Sequence, residues 1–299
     1  MPGQSPQDIL DVNVRYHDLA SESYDSKWGI DYGEKGAAQV LGKMQKALGQ
    51  PLRPMGRGLE IGAGTGYFSL NLLKQGILTE VTCTDVSAGM LETLSGSAAG
   101  LGLEVETTVC DAEALPFENN SFDVVFGHAV LHHIPDLPQA FREFRRVLKP
   151  GGLVAFCGEP SRTGDKLAAY PKRAALAVAP LWRRAIRARK HVGDGNWGKD
   201  EEASLEPYVD VHAFAPSDLE EAARAGGFDT VRIRGEELAA SWFGWANRTL
   251  ESTAEPADVP WLWRRYAFHG YLALQKVDRA LLEPRLPPAI FYNLLISAS

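Results

Sequence analysis

Cysteines, long apolar runs and surplus basic charge are all scarce in this sequence, and each scarcity excludes a class of protein. The three cysteines, Cys83, Cys110 and Cys157, are too few and too widely spaced for a disulfide framework or a zinc module. No uncharged run approaches the roughly 20 apolar residues that span a bilayer, and the N-terminus lacks the apolar core of a secretory signal. Lys and Arg total 31 against 38 Asp and Glu, which argues against a dedicated nucleic-acid binder. We therefore expect a reduced, cytoplasmic protein without a nucleic-acid partner.

From residue 57 onward, short apolar strands alternate with amphipathic helical segments. This alternation is typical of an α/β fold in which helices cover both faces of a mainly parallel sheet. The predicted strands are 57–61, 80–85, 103–110, 122–126, 153–157, 228–234 and 289–297.

Two insertions, at 161–211 and 236–288, interrupt the alternation. Within the first, the segment 172–191 holds seven Lys and Arg and no acid, although Pro180 predicts an interruption of any helix there. We interpret this segment as a solvated helix, with contact to an acidic substrate or an anionic membrane as the alternative. The second insertion contains four tryptophans, which indicate either a core between helices or an apolar wall for an acceptor.

A glycine-rich turn, EIGAGTG at 60–66, directly follows the first strand. Glycines allow the backbone to turn tightly and approach a ligand, and the following helix offers free N–H groups. Asp85 and Asp111 end the second and third strands, at the sheet edge where open α/β folds bind ligands. An acid at Asp85 can accept hydrogen bonds from ribose hydroxyls, and one at Asp111 can accept from an adenine amine. The alternatives are a helix cap at Asp85 and a turn aspartate at Asp111.

Four ordered blocks of sequence resemble class I S-adenosylmethionine-dependent methyltransferases, most closely the type-11, ubiquinone-biosynthesis-like group. The blocks are EIGAGTG, TDVSAGML, CDAEALPFENNSFDVVFGHAVLHHIPD and REFRRVLKPGGLVAF. The resemblance implies a Rossmann-like sheet of seven strands, mostly parallel with the last antiparallel, and S-adenosylmethionine as the cofactor. It covers about residues 55–158, and Glu60 stands where the family often has aspartate.

Carried over position by position, the resemblance assigns cofactor-binding residues. Gly62, Ala63, Gly64 and His128 would lie by the methionyl part, Asp85 would hold the ribose, Val86 and Met90 would pack on the adenosine, and Asp111, Ala112 and Glu113 would flank the adenine. The N-terminal segment 1–37 resembles the lid that many of these enzymes fold over the cofactor, and the remaining residues, 38–299, would form the methyltransferase domain. Tyr16 and Tyr24 would then contact the cofactor, or would only pack the segment against the core.

A base that removes a proton from the acceptor would assist methyl transfer, and two neighbouring histidines are candidates. His132 and His133 follow the fourth strand, and histidine titrates near neutral pH. Either could instead satisfy loop carbonyls, and Glu159 and His212 are weaker alternatives. No metal is expected.

We predict a methyltransferase for a small, largely apolar acceptor, with the choice among O-, N- and C-methylation left open. The insertions 161–211 and 236–288 are expected to form a mainly helical cap over the strand ends. Two alternatives remain: an NAD(P)-dependent oxidoreductase and a catalytically silent cofactor-binding module. The pattern G-x-G-x-G here differs from the usual dinucleotide fingerprint, G-x-G-x-x-G.

Overall fold

The computed structural model describes residues 6–21, 30–191 and 212–299. Its contacts divide the chain into two compact units. The sheet unit comprises Met1–Glu159, Glu201–Arg234 and Leu295–Ser299, and the helical unit comprises Pro160–Asp200 and Gly235–Leu294. Each unit is described by itself.

Seven strands form one sheet in the order β3-β2-β1-β4-β5-β7-β6. The strands are β1 Gly56–Ile61, β2 Leu78–Asp85, β3 Glu106–Val109, β4 Phe122–His128, β5 Leu148–Pro160, β6 Val231–Glu236 and β7 Asn293–Ala298. Strands β1 to β5 pair in parallel, whereas Thr230 and Ser299 exchange backbone hydrogen bonds, so that β7 runs antiparallel to β6. The predicted fold class, a mostly parallel Rossmann-like sheet, is confirmed.

The helices begin at the caps that the sequence provides. The Ser87 side chain accepts from the Met90 N–H at the start of one helix, and Asp136 accepts from the Gln139 N–H at the start of another. In the described residues outside the insertions, the helices are α1 Pro6–Ala20, α2 Glu34–Leu48, α3 Tyr67–Lys74, α4 Ala88–Leu101, α5 Leu137–Val147 and α7 Pro216–Ala225. Between β4 and α5, Leu131–His133 form a single 3-10 turn.

The last strand and the third strand are shorter than predicted. β7 starts at Asn293, because Pro287 and Pro288 place the preceding residues in a 3-10 turn, Pro288–Ile290. β3 covers only Glu106–Val109 and lies at the edge of the sheet, where Val109 is 55% exposed. A strand with one neighbour buries less apolar surface, and its ends are therefore poorly marked in the sequence.

The helical unit contains three long helices: α6 Arg162–Ile186, α8 Ala239–Ser252 and α9 Trp261–Val277. Its core is built around Trp182, Leu250 and Val259. The expected interruption at Pro180 is wrong: α6 continues through Pro171 and Pro180, and exposed Leu176, four residues before Pro180, can turn its carbonyl to water. No helix in the described parts of the chain is both long and apolar enough to cross a membrane. The placement of this unit as a cap stays a prediction.

Candidate functional site

A cleft in the sheet unit opens beside the carboxyl ends of β1, β2 and β4, where open α/β sheets bind ligands. Backbone and side chains from all three strand ends and from α1 line it. Its lining comprises Leu10, Asn13, His17, Ile61, Gly62, Gly64, Thr84, Asp85, Val86, Met90, Cys110, Asp111, Ala112, His128, Ala129, Val130, His133, Ile134 and Pro135.

The glycine turn forms one wall of the cleft. Gly62 and Gly64 both have positive φ, 59° and 52°, a backbone conformation that strongly favours glycine. A Cβ added to Gly62 would meet Val130 at 2.3 Å, whereas one added to Gly64 would meet nothing within 4 Å. Gly64 therefore leaves space at the cleft wall for a ligand. Ala63 lies between them, but it packs in the core and its N–H donates to the Thr84 carbonyl at 2.8 Å.

Asp85 is buried at the end of β2 and is held by two backbone donors. The Gly64 N–H and the Ser87 N–H each donate to its carboxylate at 2.9 Å. Burial raises the pKa of Asp85 above its ordinary value, and the positive charge of His17 and these backbone N–H groups oppose the rise. The carboxylate thus connects the glycine turn to the start of α4 and borders the cleft.

Glu60 occupies the position behind the glycine turn and does not line the cleft. Its carboxylate accepts from the Ser69 N–H in α3 at 3.1 Å. Burial raises the pKa of Glu60 to about 8, against an ordinary value of 4.5, and the hydrogen bonds from Ser69 only partly offset this. The side chain consequently fixes α3 to β1 largely as a neutral acid.

We expect Glu60→Gln to flatten the pH dependence of stability. Between pH 4.5 and 8 the folded protein keeps the Glu60 proton while the unfolded chain releases it, so that the free energy of unfolding falls as pH rises. Each pH unit costs at most about 1.4 kcal/mol, and glutamine removes this titration but keeps an acceptor for Ser69. Urea unfolding across this range should show the wild type losing stability relative to the variant. Parallel curves would show that Glu60 does not titrate in this way.

The two acids after β3 have separate positions. Asp111 lines the cleft, and its carboxylate accepts from the Glu113 N–H at 2.9 Å. Glu113 is not among the lining residues: its carboxylate accepts from the Asp136 N–H at 2.7 Å, and its carbonyl accepts from Gln139. Glu113 therefore connects this loop to the start of α5, and Asp111 is the one of these two acids that lines the cleft.

The two histidines of the turn after β4 also diverge. The Nδ1 atom of His132 lies 2.9 Å from a carboxylate oxygen of Glu159, which is fully buried at the end of β5. Glu159 also accepts from the backbone N–H groups of Val130, Leu131 and His132. The carboxylate of Glu159 thus satisfies three donors of the turn and orients the His132 ring.

His133 lines the cleft and has two histidine neighbours. Its ring centroid lies 3.9 Å from that of His132 and 5.6 Å from that of His17 on α1. His212 contacts the same turn from outside: its N–H donates to the His132 carbonyl at 3.1 Å, and its Nε2 lies 3.1 Å from the Ile134 carbonyl. Glu159 and His212 therefore hold the turn, and of the two neighbouring histidines only His133 lines the cleft.

Sequence reasoning missed three residues of α1. Leu10, Asn13 and His17 line the cleft at spacings of three and four residues, which is one face of a helix. The predicted contact Tyr16 is buried and packs edge-on against His17, at 5.1 Å between ring centroids, and is not among the lining residues. The second predicted contact, Tyr24, lies outside the described residues. Helical spacing was a signal that could have identified Leu10, Asn13 and His17, and the cofactor contact of Tyr16 stays a prediction.

The chemistry of the lining fits S-adenosylmethionine. Two acids face the cleft, and none of the described residues that line it is a lysine or arginine. These carboxylate acceptors suit a ligand with ribose hydroxyls and a sulfonium cation better than a dinucleotide with its pyrophosphate. His128, another lining residue, stacks on Phe68 with ring centroids 4.7 Å apart, which holds its ring in place. Within the described residues, no cluster of three or more His, Cys, Asp or Glu side chains could hold a metal ion.

Comparison with known proteins places the chain in a family. Residues 59–156 match the methyltransferase domain family that includes the type-11 enzymes. A malonyl-[acyl-carrier protein] O-methyltransferase of Methylococcus capsulatus is 31% identical over 235 residues, which cover 73% of this chain and 72% of that protein. The chain belongs to the class I S-adenosylmethionine-dependent methyltransferases.

Other similar proteins are matched over a smaller share of their own length. Phosphoethanolamine N-methyltransferase 3 of Arabidopsis thaliana is 29% identical over 170 residues, 56% of this chain but only 34% of the plant protein. The solved structure of phosphoethanolamine N-methyltransferase 2 of Haemonchus contortus, in complex with phosphomonomethylethanolamine and S-adenosylhomocysteine, has a TM-score of 0.58 at 20% identity. It covers 99% of this chain and 60% of the nematode chain, and supports the fold of the methyltransferase.

The predicted family, cofactor and activity are confirmed, and the oxidoreductase and silent-module alternatives are not supported. The structure places most of the predicted cofactor residues of the methyltransferase along one cleft. These are Gly62, Gly64, Asp85, Val86, Met90, Asp111, Ala112 and His128. Their contacts with the cofactor stay predictions.

Proposed function

We propose that this methyltransferase transfers a methyl group from S-adenosylmethionine to an oxygen or nitrogen atom of a small, largely apolar acceptor. The observation that carries the proposal is the convergence of the glycine turn, Asp85, Asp111 and His133 on one cleft. S-adenosylmethionine, when bound, supplies an electrophilic methyl group. The residues of the chain have to bind, align and exclude water.

Each lining residue has a proposed role in binding one part of the cofactor. Asp85 accepts hydrogen bonds from the ribose hydroxyls, and Asp111 accepts from the adenine amine. Gly64 offers the space in which the methionyl part lies, beside His128. The side chains of Val86 and Met90 pack on the adenosine, and Met90 is 1% exposed, so that its position is already fixed.

His133 is the proposed base. It lies in the cleft lining, and its turn is held in place by Glu159, so that the ring can remain aligned as a proton moves to it. A nucleophile that loses its proton to the His133 ring attacks the methyl group more readily. His17 stands 5.6 Å away between ring centroids and contributes a second polar group near the same place.

The apolar part of the lining supports an apolar acceptor. Ile61, Val130, Ile134 and Pro135 border the cleft beside His133, and apolar walls exclude water from the reacting atoms. The Methylococcus relative acts on a malonyl group carried on a protein, and its similarity extends over more of this chain than that of the plant relative. The malonyl group ends in an ionised carboxylate, so that a malonyl thioester tests the acceptor of that relative, whereas a neutral phenol tests the apolar acceptor. For localisation we propose the cytoplasm, because the three cysteines are too few and too widely spaced for the disulfide framework of a secreted protein.

The proposal is tested by acceptor-dependent formation of S-adenosylhomocysteine. The full-length protein is incubated with S-adenosylmethionine and, in separate reactions, a malonyl thioester, an apolar phenol and phosphoethanolamine. We expect turnover with the phenol and little with phosphoethanolamine, because no described lining residue is a Lys or Arg that could pair with the phosphate. Turnover with the malonyl thioester alone would assign the acceptor class of the Methylococcus relative instead. A clear preference for phosphoethanolamine would overturn the apolar acceptor while leaving the methyltransferase activity intact.

A further inference from the structure

The helical unit has the opposite charge to the chain as a whole. Its described residues, 160–191 and 235–294, contain 15 Lys and Arg against eight Asp and Glu, although the whole chain has a net charge of −7. Most of this surplus of positive charge lies on two helices. Helix α6 has six Lys and Arg and a single acid, Asp165, and α9 has three Lys and Arg and no acid. The charged side chains of these two helices are therefore almost all positive.

The solvent face of α6 combines these cations with large apolar side chains. Five exposed residues share this face because their spacing follows the helical repeat: Lys166, Tyr170, Arg173, Leu181 and Arg184. Tyr170 is 64% exposed and Leu181 is 72% exposed. The opposite face, formed by residues such as Ala168, Ala175, Ala179 and Trp182, is buried in the unit. At 1.5 Å per residue the exposed stripe runs for about 27 Å.

Helix α9 presents the same combination and has no buried residue. Trp261 is 63% exposed, Leu262 is 71% exposed, and the Arg265 guanidinium lies 4.7 Å from the centroid of the Trp261 ring. The two helices are neighbours, because Trp182 of α6 and Trp263 of α9 are in edge contact at 5.1 Å between ring centroids. Exposed apolar side chains of this size on adjacent helices usually mark a binding surface.

We propose that the exposed faces of α6 and α9 dock the protein on an anionic lipid surface. Interfacial helices carry Lys and Arg together with Trp, Tyr and Leu, which enter the boundary between headgroups and acyl chains while the cations remain among the phosphates. A surface that binds a protein partner usually carries charges of both signs. These faces carry almost only positive charge, which is complementary to a uniformly negative surface. The long stripe also suits an extended surface. This docking goes beyond the methyl transfer and does not depend on it.

Vesicle sedimentation of the full-length protein tests the proposal. We expect co-sedimentation with vesicles that mix phosphatidylglycerol into phosphatidylcholine, weaker binding at high salt, and no binding to phosphatidylcholine alone. The double variant Arg173→Glu with Arg184→Glu should weaken binding by about tenfold or more. Leu181→Ser with Trp261→Ala should also weaken it severalfold, including at salt concentrations that screen the charges.

A matched control separates this surface from net charge. Arg53→Glu with Arg142→Glu makes the same charge change on exposed positions of the sheet unit and should leave vesicle binding almost unchanged. All variants should keep the melting temperature and the S-adenosylhomocysteine affinity of the wild type, because none of these residues lines the cleft. Equal losses in both charge variants, or no binding to anionic vesicles at low salt, would overturn the proposal. Retention of an acidic protein through Arg173 and Arg184, without vesicle binding, would assign the surface to a protein partner instead.

Discussion

Replacing Asp85 by alanine should weaken the binding of S-adenosylhomocysteine by about tenfold or more. A hydrogen bond to a charged acceptor contributes about 1.5–3 kcal/mol, and the variant would leave the ribose hydroxyls without theirs. The Gly64 N–H would also lose its acceptor, so that the glycine turn would be held less firmly against β2. Isothermal titration calorimetry on the folded variant measures the effect directly.

Three further measurements distinguish ligand binding from a general disturbance of the fold. Asp85→Asn keeps an oxygen acceptor but removes the charge, and should have an intermediate affinity. Asp111→Ala should cost less than Asp85→Ala, because Asp111 is only partly buried and water can replace its carboxylate at the adenine. The affinity of the wild type should also fall on acidification, since burial raises the pKa of Asp85 and protonation removes the charge. Unchanged affinity in a folded Asp85→Ala protein would remove Asp85 from the site.

The features that the sequence predicted well depend on local physical rules. The strand-helix alternation fixes a mainly parallel sheet, and the ends of parallel strands meet at one edge, which is why Asp85 and Asp111 border one cleft. Gly62 and Gly64 have the positive φ values for which glycine is needed. Each of these features could be predicted because it depends on a residue type at a fixed place along its own strand or turn.

The residues whose positions the sequence did not predict depend on contacts made far along the chain. Glu113 looked like a cofactor residue, yet its carboxylate accepts from the Asp136 N–H, 23 residues away. His132 looked equivalent to His133, but the buried Glu159, 27 residues away, takes its ring. Adjacent residues in a turn point in different directions, and only the strand that packs behind the turn decides which one faces a ligand.

The helical unit shows a third reason why the sequence was insufficient. The segment 172–191 was interpreted as a solvated helix because its charges are obvious in the sequence. Its apolar residues could all have belonged to the buried face, but the helix buries Trp182 and leaves its neighbour Leu181 exposed. Which of two adjacent large residues lies outward depends on the exact phase of the helix, and Pro171 and Pro180 had obscured that phase.

Replacing His133 by alanine should have the largest effect on catalysis. If His133 accepts the proton of a neutral oxygen or nitrogen acceptor, its loss should lower kcat by about a hundredfold, the lower end of the usual contribution of a general base. Affinity for S-adenosylhomocysteine should change little, because Asp85, Asp111 and the glycine turn remain. The measurement is a comparison of kcat in steady-state turnover with calorimetric affinity in the same variant.

The nature of the acceptor decides how this result is interpreted. A carboxylate acceptor, such as a malonyl group, is already ionised near neutral pH and has no proton to give, so that the loss in His133→Ala should shrink with such an acceptor. A phenol or an ammonium group should show the full loss and a shift in its pH–rate profile. His132→Ala is the matched control: it should lower the melting temperature by leaving Glu159 without its ring partner, and should affect both classes of acceptor equally. Full activity of His133→Ala with a neutral acceptor would leave alignment of the reactants in the cleft as the whole mechanism.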